Sequence, residues 1–172
     1  MPRVRPQVPG LDPRAADTFV RHRVLALRAT GRAGGERVAM VGLADVGLHP
    51  AEVADRCWWE PTPDDAPADR GLRADVVHAL LAGAGEGPLL ATWTRSGPNE
   101  VLEPDLAWRA ALARASSLTD RPVPPLVVLT RSGWRCHPTG GHRTWKRLRE
   151  RGPVTGAAAP QGTAVRPRRR PG

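Results

Sequence analysis

Short apolar runs separated by glycine, proline and acidic residues set the pattern of this chain. Val24-Leu25-Ala26-Leu27 and Val38-Ala39-Met40-Val41 flank Gly31, Gly34 and Gly35, which predicts two antiparallel strands joined by a glycine-bearing hairpin loop. His49-Pro50 predicts a helix start, with Val53, Ala54, Cys57 and Trp58 at helical spacing as its buried face. Residues 59–70 are rich in proline and aspartate and read as a loop. Leu72, Val76, Leu80 and Leu81 then recur at helical spacing until Gly83, Gly85 and Gly87. Leu89 to Trp93 predicts a third strand. Pro104 opens a helix whose apolar stripe is Trp108, Ala111, Leu112 and Ala115, and Leu126 to Leu129 predicts a fourth strand. A short basic helix over about Thr144 to Arg151 closes the series.

The order is ββααβαβα. Strand, helix and strand over residues 89–129 form one βαβ unit, whose strands are expected to be parallel with a right-handed crossover. The fold class is therefore α/β: a mixed sheet of about four strands, an N-terminal β-hairpin plus the βαβ unit, covered by helices. Residues 1–18 hold Pro2, Pro6, Pro9 and Pro13 with few apolar side chains and read as a flexible arm. Residues 152–172 read as a disordered basic tail. Residues 19–151 are then a single domain of ordinary length.

Charge changes this picture by its position more than by its total. The formal net charge is +9 over 172 residues, but Lys146 is the only lysine among 26 basic residues. Together with abundant alanine, glycine and proline, that arginine bias is what GC-rich coding produces without any functional demand. Residues 1–22 carry +2 and residues 23–130 carry −3, whereas residues 131–172 carry +10, with Glu150 their sole acid. Arg143, Arg147 and Arg151, four residues apart, would stack on one face of the basic helix beside Lys146, and Trp145 and Leu148 would pin it to the core. Arg168, Arg169 and Arg170 extend the charge into the tail. Such a segment suits a phosphate backbone or an acidic partner, giving affinity without base readout.

One tetrapeptide occurs twice. Thr94-Arg95-Ser96-Gly97 follows the third strand and Thr130-Arg131-Ser132-Gly133 the fourth. If those strands are parallel, both loops leave the carboxyl edge of the sheet, where ligands of open α/β sheets bind. Arg95 and Arg131 offer planar forks of donors, and Ser96, Gly97, Ser132 and Gly133 supply a hydroxyl and accessible backbone N–H groups, so the pair is a candidate anion site. The competing reading is turn chemistry, which favours the same residues.

Two cysteines, Cys57 and Cys136, do not make a disulfide framework. Cys136, His137 and His142, with His49 or Cys57, match no paired metal-ligand spacing, so no metal and no cofactor is assigned. Cys136 as nucleophile with His142 as base is the weak catalytic candidate. No Gly-x-Ser-x-Gly elbow, phosphate-binding Gly-Lys-Ser/Thr loop or His-Glu-x-x-His is present. There is no apolar run long enough for a membrane span and no signal-peptide core, which makes the cytoplasm the default compartment. The leading expectation is a non-enzymatic α/β binding module that engages nucleic acid or another polyanion. The alternatives are a small enzyme holding a phosphorylated or carboxylated substrate at the two Thr-Arg-Ser-Gly loops, and a protein-interaction subunit.

Overall fold

A computed structural model describes residues 7–30, 35–62, 64–65 and 67–148, and the backbone of 163–164. The chain opens with helix α1 (Pro13–Ala29), followed by strand β1 (Arg37–Gly42), the short helix α2 (Leu43–Leu48) and strand β2 (Cys57–Trp59). Helix α3 (Arg70–Gly83), strand β3 (Leu89–Thr94), helix α4 (Glu103–Leu118) and strand β4 (Leu126–Thr130) come next. Strands β5 (Gly133–His137) and β6 (His142–Thr144) complete a mixed sheet of six strands, to which Thr163–Ala164 adds a two-residue β7. The spatial order is β6-β5-β4-β3-β1-β2-β7.

β1 pairs antiparallel with both neighbours, Val38 opposite Trp59 on one side and Trp93 on the other. β2, β3 and β4 therefore all run the same way, and β3 and β4 pair directly, with Ala91 opposite Leu126. Alternation along the strands divides the core in two. Met40, Cys57, Trp59, Ala91, Trp93 and Val128 face α3 and α4, joined there by Trp108. Val41, Leu90, Val127, Leu129, Trp134 and Cys136 face α1 through Phe19, Val20 and Val24. The result is a sheet with helices on both sides, the layering that buries both faces of a partly parallel sheet.

The α/β class, α3, and the β3-α4-β4 unit with its parallel strands follow the sequence expectation. Four features differ. Val24 to Leu27 is not a strand but the last third of α1. Asp12 caps this helix, accepting from the N–H groups of Arg14 and Ala15 at 2.9 and 3.0 Å, with Pro13 in the first turn. Its buried positions, Ala16, Phe19, Val20 and Val24, follow helical spacing. The helix thus begins inside the stretch whose prolines read as an arm, and Val8 before it is also buried.

The second difference is at Pro50, where no helix starts. The chain turns at 50–52 and then alternates, with Asp55, Cys57 and Trp59 buried. Third, β5 and β6 extend the sheet, which has six strands rather than four before β7 is counted. Fourth, residues 142–144 are strand and 145–148 irregular, so the basic helix is absent as far as Leu148. The arm's residues 1–6, the hairpin-loop glycines Gly31 and Gly34, residues 149–151, and the tail apart from 163–164 lie outside the described residues.

Buried charge fixes the assembly on the α1 side. Asp55, 3% exposed, lies 2.7 Å from Arg23 of α1 and 2.7 Å from Arg37 of β1. A carboxylate gripped from two elements locks their relative position, because removing any partner leaves a charge out of water.

Candidate functional site: the carboxyl edge and the basic corner

Parallel pairing of β3 and β4 places both Thr-Arg-Ser-Gly loops on one edge of the sheet, and the Arg95 N–H donates to the Leu129 carbonyl at 3.1 Å. Their arginines, however, take different environments. Arg95 turns inward and is 4% exposed. Its Nε donates to Asp105 Oδ1 at 2.6 Å and its Nη2 to Asp105 Oδ2 at 2.8 Å. The remaining N–H groups reach the carbonyls of Ser96, Pro98 and Glu100 at 3.1, 2.8 and 2.7 Å. A guanidinium has five N–H donors, and all five are in use. Arg95 is thus the internal staple of its own loop, and no donor is left for an external anion.

Asp105, fully buried in the first turn of α4, is the reason. Burial on its own raises a carboxyl pKa. Here the Arg95 hydrogen bonds, the Leu102 N–H at 3.0 Å, the Arg95 charge and the Trp93 indole N–H at 3.1 Å outweigh it, and Asp105 titrates below the usual carboxylate range.

The second loop is built differently. Arg131 is exposed, and its Nη2 donates to the Arg28 carbonyl at 3.2 Å, while Arg28 Nε returns a bond to the Arg131 carbonyl at 2.6 Å. The Ser132 hydroxyl is 3.1 Å from that of Thr130, which also accepts from the Gly133 N–H at 3.2 Å.

The two glycines of the repeat serve different ends. Gly97 is exposed with φ +91°, a conformation that disfavours any side chain. Gly133 is buried, and a Cβ there would collide with the Arg143 carbonyl of β6 and lie 2.8 Å from Asn99 Nδ2. Gly133→Ala is expected to cost about 1–3 kcal/mol by forcing β5 and β6 apart. Amide exchange should quicken at 133–137 and 142–144 but not in α3. Gly97→Ala should cost about 1–2 kcal/mol through backbone strain, with β6 undisturbed.

The Cys136–His142 pair does not form. Cys136 belongs to the buried layer beneath α1, where burial raises its thiol pKa despite hydrogen bonds from Thr139. His142 stands directly opposite Arg135, whose side chain points to the other face of the sheet from Cys136, and it is exposed. Cys57 lies on the far side of the sheet, its thiol donating to the Leu80 carbonyl at 3.1 Å and its pKa pushed up to about 11, first by burial and then by the Asp55 charge. Among the described residues no three His, Cys, Asp or Glu side chains converge as metal ligands, and no helix is long and apolar enough to cross a membrane.

The basic segment forms a corner rather than a helix. Arg143 pairs with Asp17 of α1 at 2.8 Å and lies over the Trp145 ring at 5.2 Å. Arg28 Nη2 donates to the Trp145 carbonyl at 3.0 Å, which draws the end of α1 against the chain leaving β6. Lys146 and Arg147 are exposed and make no ion pair or hydrogen bond among the described residues. Arg28, Arg131, Lys146 and Arg147 are thereby gathered at the C-terminal end of α1, while Arg143 reaches back to Asp17 near the start of that helix. Arg151, Arg168, Arg169 and Arg170 lie outside the described residues.

Several of the residues that organise this region carry no sequence motif: Asp105, Asn99, Asp17 and Arg28. Asn99 Nδ2 ties the loop after β3 to β5 and β6, reaching the Trp134 carbonyl at 3.1 Å and the Arg143 carbonyl at 3.2 Å. The geometry defines a compact α/β domain with a cationic corner. Comparison of the chain with protein-family models, with curated proteins and with solved structures finds no match.

Proposed function

We propose that this protein is a non-enzymatic binding module that engages a polyanion, nucleic acid being the representative one, through the corner where α1 meets the chain leaving β6. The observation that carries this reading is the convergence of Arg28, Arg131, Lys146 and Arg147 at the C-terminal end of α1, held together by the reciprocal Arg28–Arg131 bonds and the Arg28–Trp145 bond, with Arg143 extending the charge along the helix. Asp17 of α1 neutralises part of the charge of Arg143. The residues that follow add further arginines and a single acid, Glu150. Charge of one sign on a rigid corner draws phosphates in and positions them.

The enzyme alternative is weakened because it needs Arg95 as an anion clamp, and Arg95 spends its donors on Asp105 and its own loop.

Binding of the full chain to random duplex DNA and to single-stranded RNA across a salt series tests the reading. Affinity should fall as salt rises. Joint Lys146→Glu and Arg147→Glu substitution should reduce the log–log slope on duplex by about two, since each lost phosphate contact removes about 0.9. Binding that ignores salt, or no binding at low salt, overturns the proposal.

A further inference from the structure

The other face of the sheet carries a second concentration of arginine. Helices α3 and α4 pack side by side there, and between them lies a cleft of about 250 Å³ lined by Arg70, Arg73, Glu103, Arg114 and alanines that include Ala107 and Ala111. A hollow of about 200 Å³ sharing Ala74 and Arg114 continues it toward Asp75 and His78.

Two features mark these arginines, the first of them confined to Arg70 and Arg73. The first is their position. A helix start favours acidic side chains because backbone N–H groups leave it positive. α4 obeys this with Glu103 and Asp105, whereas the first turn of α3, beyond its Asp69 cap, has Arg70 and Arg73 and no acid, the first in the helix being Asp75. A residue choice that works against its own helix signals a demand from outside that helix.

The second is lack of a partner. The guanidinium groups of Arg23, Arg37, Arg56, Arg95 and Arg121 are all engaged with carboxylates or carbonyls. The guanidinium groups of Arg70, Arg73 and Arg114 make no ion pair or hydrogen bond among the described residues, Arg70 and Arg114 being exposed. Arg73 is held over the Trp108 ring at 5.9 Å, its Nε buried without a partner. The site therefore combines three uncommitted forks, one carboxylate and an apolar floor, a net charge of +2.

We propose that the α3/α4 cleft binds a small organic dianion, a phosphomonoester with an apolar body. Its phosphate is met by Arg70, Arg73 and Arg114, and its body rests on the alanines. A phosphomonoester carries close to two negative charges at neutral pH and presents oxygens that match guanidinium forks. The alanine floor adds the apolar contact that separates an ester from free phosphate. The site lies across the sheet from the cationic corner, so its occupancy does not depend on the polyanion reading.

The test uses phenyl phosphate on the full chain, followed by calorimetry and backbone amide shifts, with inorganic phosphate and benzyl alcohol beside it. Saturable binding is expected, with shifts in α3 and α4 and an affinity about tenfold or more above either control, from the combined ring and charge contacts. Arg73→Gln should weaken it about tenfold or more by removing a charged hydrogen-bond donor. Ala107→Leu should block it by filling the cleft at unchanged charge. The melting temperature of each variant shows whether it is folded. Joint Lys146→Glu and Arg147→Glu substitution should leave phenyl phosphate affinity unchanged, which separates this site from the corner. Absence of saturable binding, or shifts at residues 142–148 that survive Ala107→Leu, overturns the proposal.

Discussion

Asp105→Asn is expected to destabilise the protein by about 3–5 kcal/mol, the loss typical when one member of a buried ion pair is removed and the other charge stays behind. Arg95 is 4% exposed and Asp105 fully buried, so the guanidinium left by the substitution has no route to water without unravelling its loop. Asparagine also forfeits an acceptor where Asp105 meets four N–H donors, from Arg95 twice, Trp93 and Leu102. Against a total stability of about 5–15 kcal/mol for a domain of this kind, the variant should be close to unfolding. Denaturant midpoints of the wild type and variant measure the loss, and a change below about 1 kcal/mol would show the pair to be solvent-screened.

Adding Arg95→Met to Asp105→Asn should recover part of the stability, because the stranded charge goes too. Recovery stays partial because the carbonyls of Ser96, Pro98 and Glu100 lose their donor. The pair also sets an acid limit. Asp105 titrates below its ordinary value, so its contribution is complete above the unfolded carboxyl pKa of about 3.9 and is lost as the pH falls through the lower folded value. The Asp105→Asn variant should show a flatter fall of stability on the acid side than the wild type.

Trp108→Ala is expected to cost about 3–5 kcal/mol, the range for deleting a buried aromatic side chain. Trp108 is 1% exposed and lies between two other tryptophans, its ring centroid 5.8 Å from Trp59 and 5.2 Å from Trp93, both at tilted angles. Such tilted contacts add to the transfer energy of burial. The cavity would open beneath Arg73 and between β2, β3 and α4, where no side chain of comparable size stands ready to collapse. Leu106→Ala, two residues away on the exposed face of α4, should change stability by no more than about 0.5 kcal/mol. Equal effects of the two substitutions in denaturant unfolding would contradict the packing of this face.

The segment from Leu72 to Leu129 was legible because its apolar periods are long and its neighbours are proper punctuation. Leu72, Val76 and Leu80 repeat without interruption, and Leu126 to Leu129 is an unbroken run suited to a strand buried on both faces. Val24 to Leu27 misled because four apolar residues in a row fit a strand as readily as a helix. The helical period becomes visible only when Ala16, Phe19 and Val20 are read with Val24 and the Asp12-Pro13 cap is given its weight.

Residues 53–59 carried both periods at once, and the buried charge of Asp55 hid the alternation that belongs to β2. Trp134 and Cys136 alternate with Arg135 and His137 as strand residues do, but over four residues that alternation is too short to stand out from a loop. The site was less legible than the fold. Arg95 and Arg131 have identical neighbours in sequence, and what separates them is Asp105, an acid brought to Arg95 by the loop that starts α4. A tetrapeptide does not contain that information.

α1 has a consequence for how the chain is made. Its apolar face packs on Val127, Leu129, Trp134 and Trp145, and its polar ties run to Arg131, Trp145 and Arg143. Every one of these partners is translated about a hundred residues after the helix. At ribosomal rates of about 5–20 residues per second, Phe19, Val20 and Val24 wait roughly 5–20 s for most of their binding surface to emerge. During that interval α2, Val41 and later Leu90 can cover only part of the helical stripe, and the rest stays open to water, while the β3-α4-β4 unit closes among near neighbours as soon as it leaves the exit tunnel.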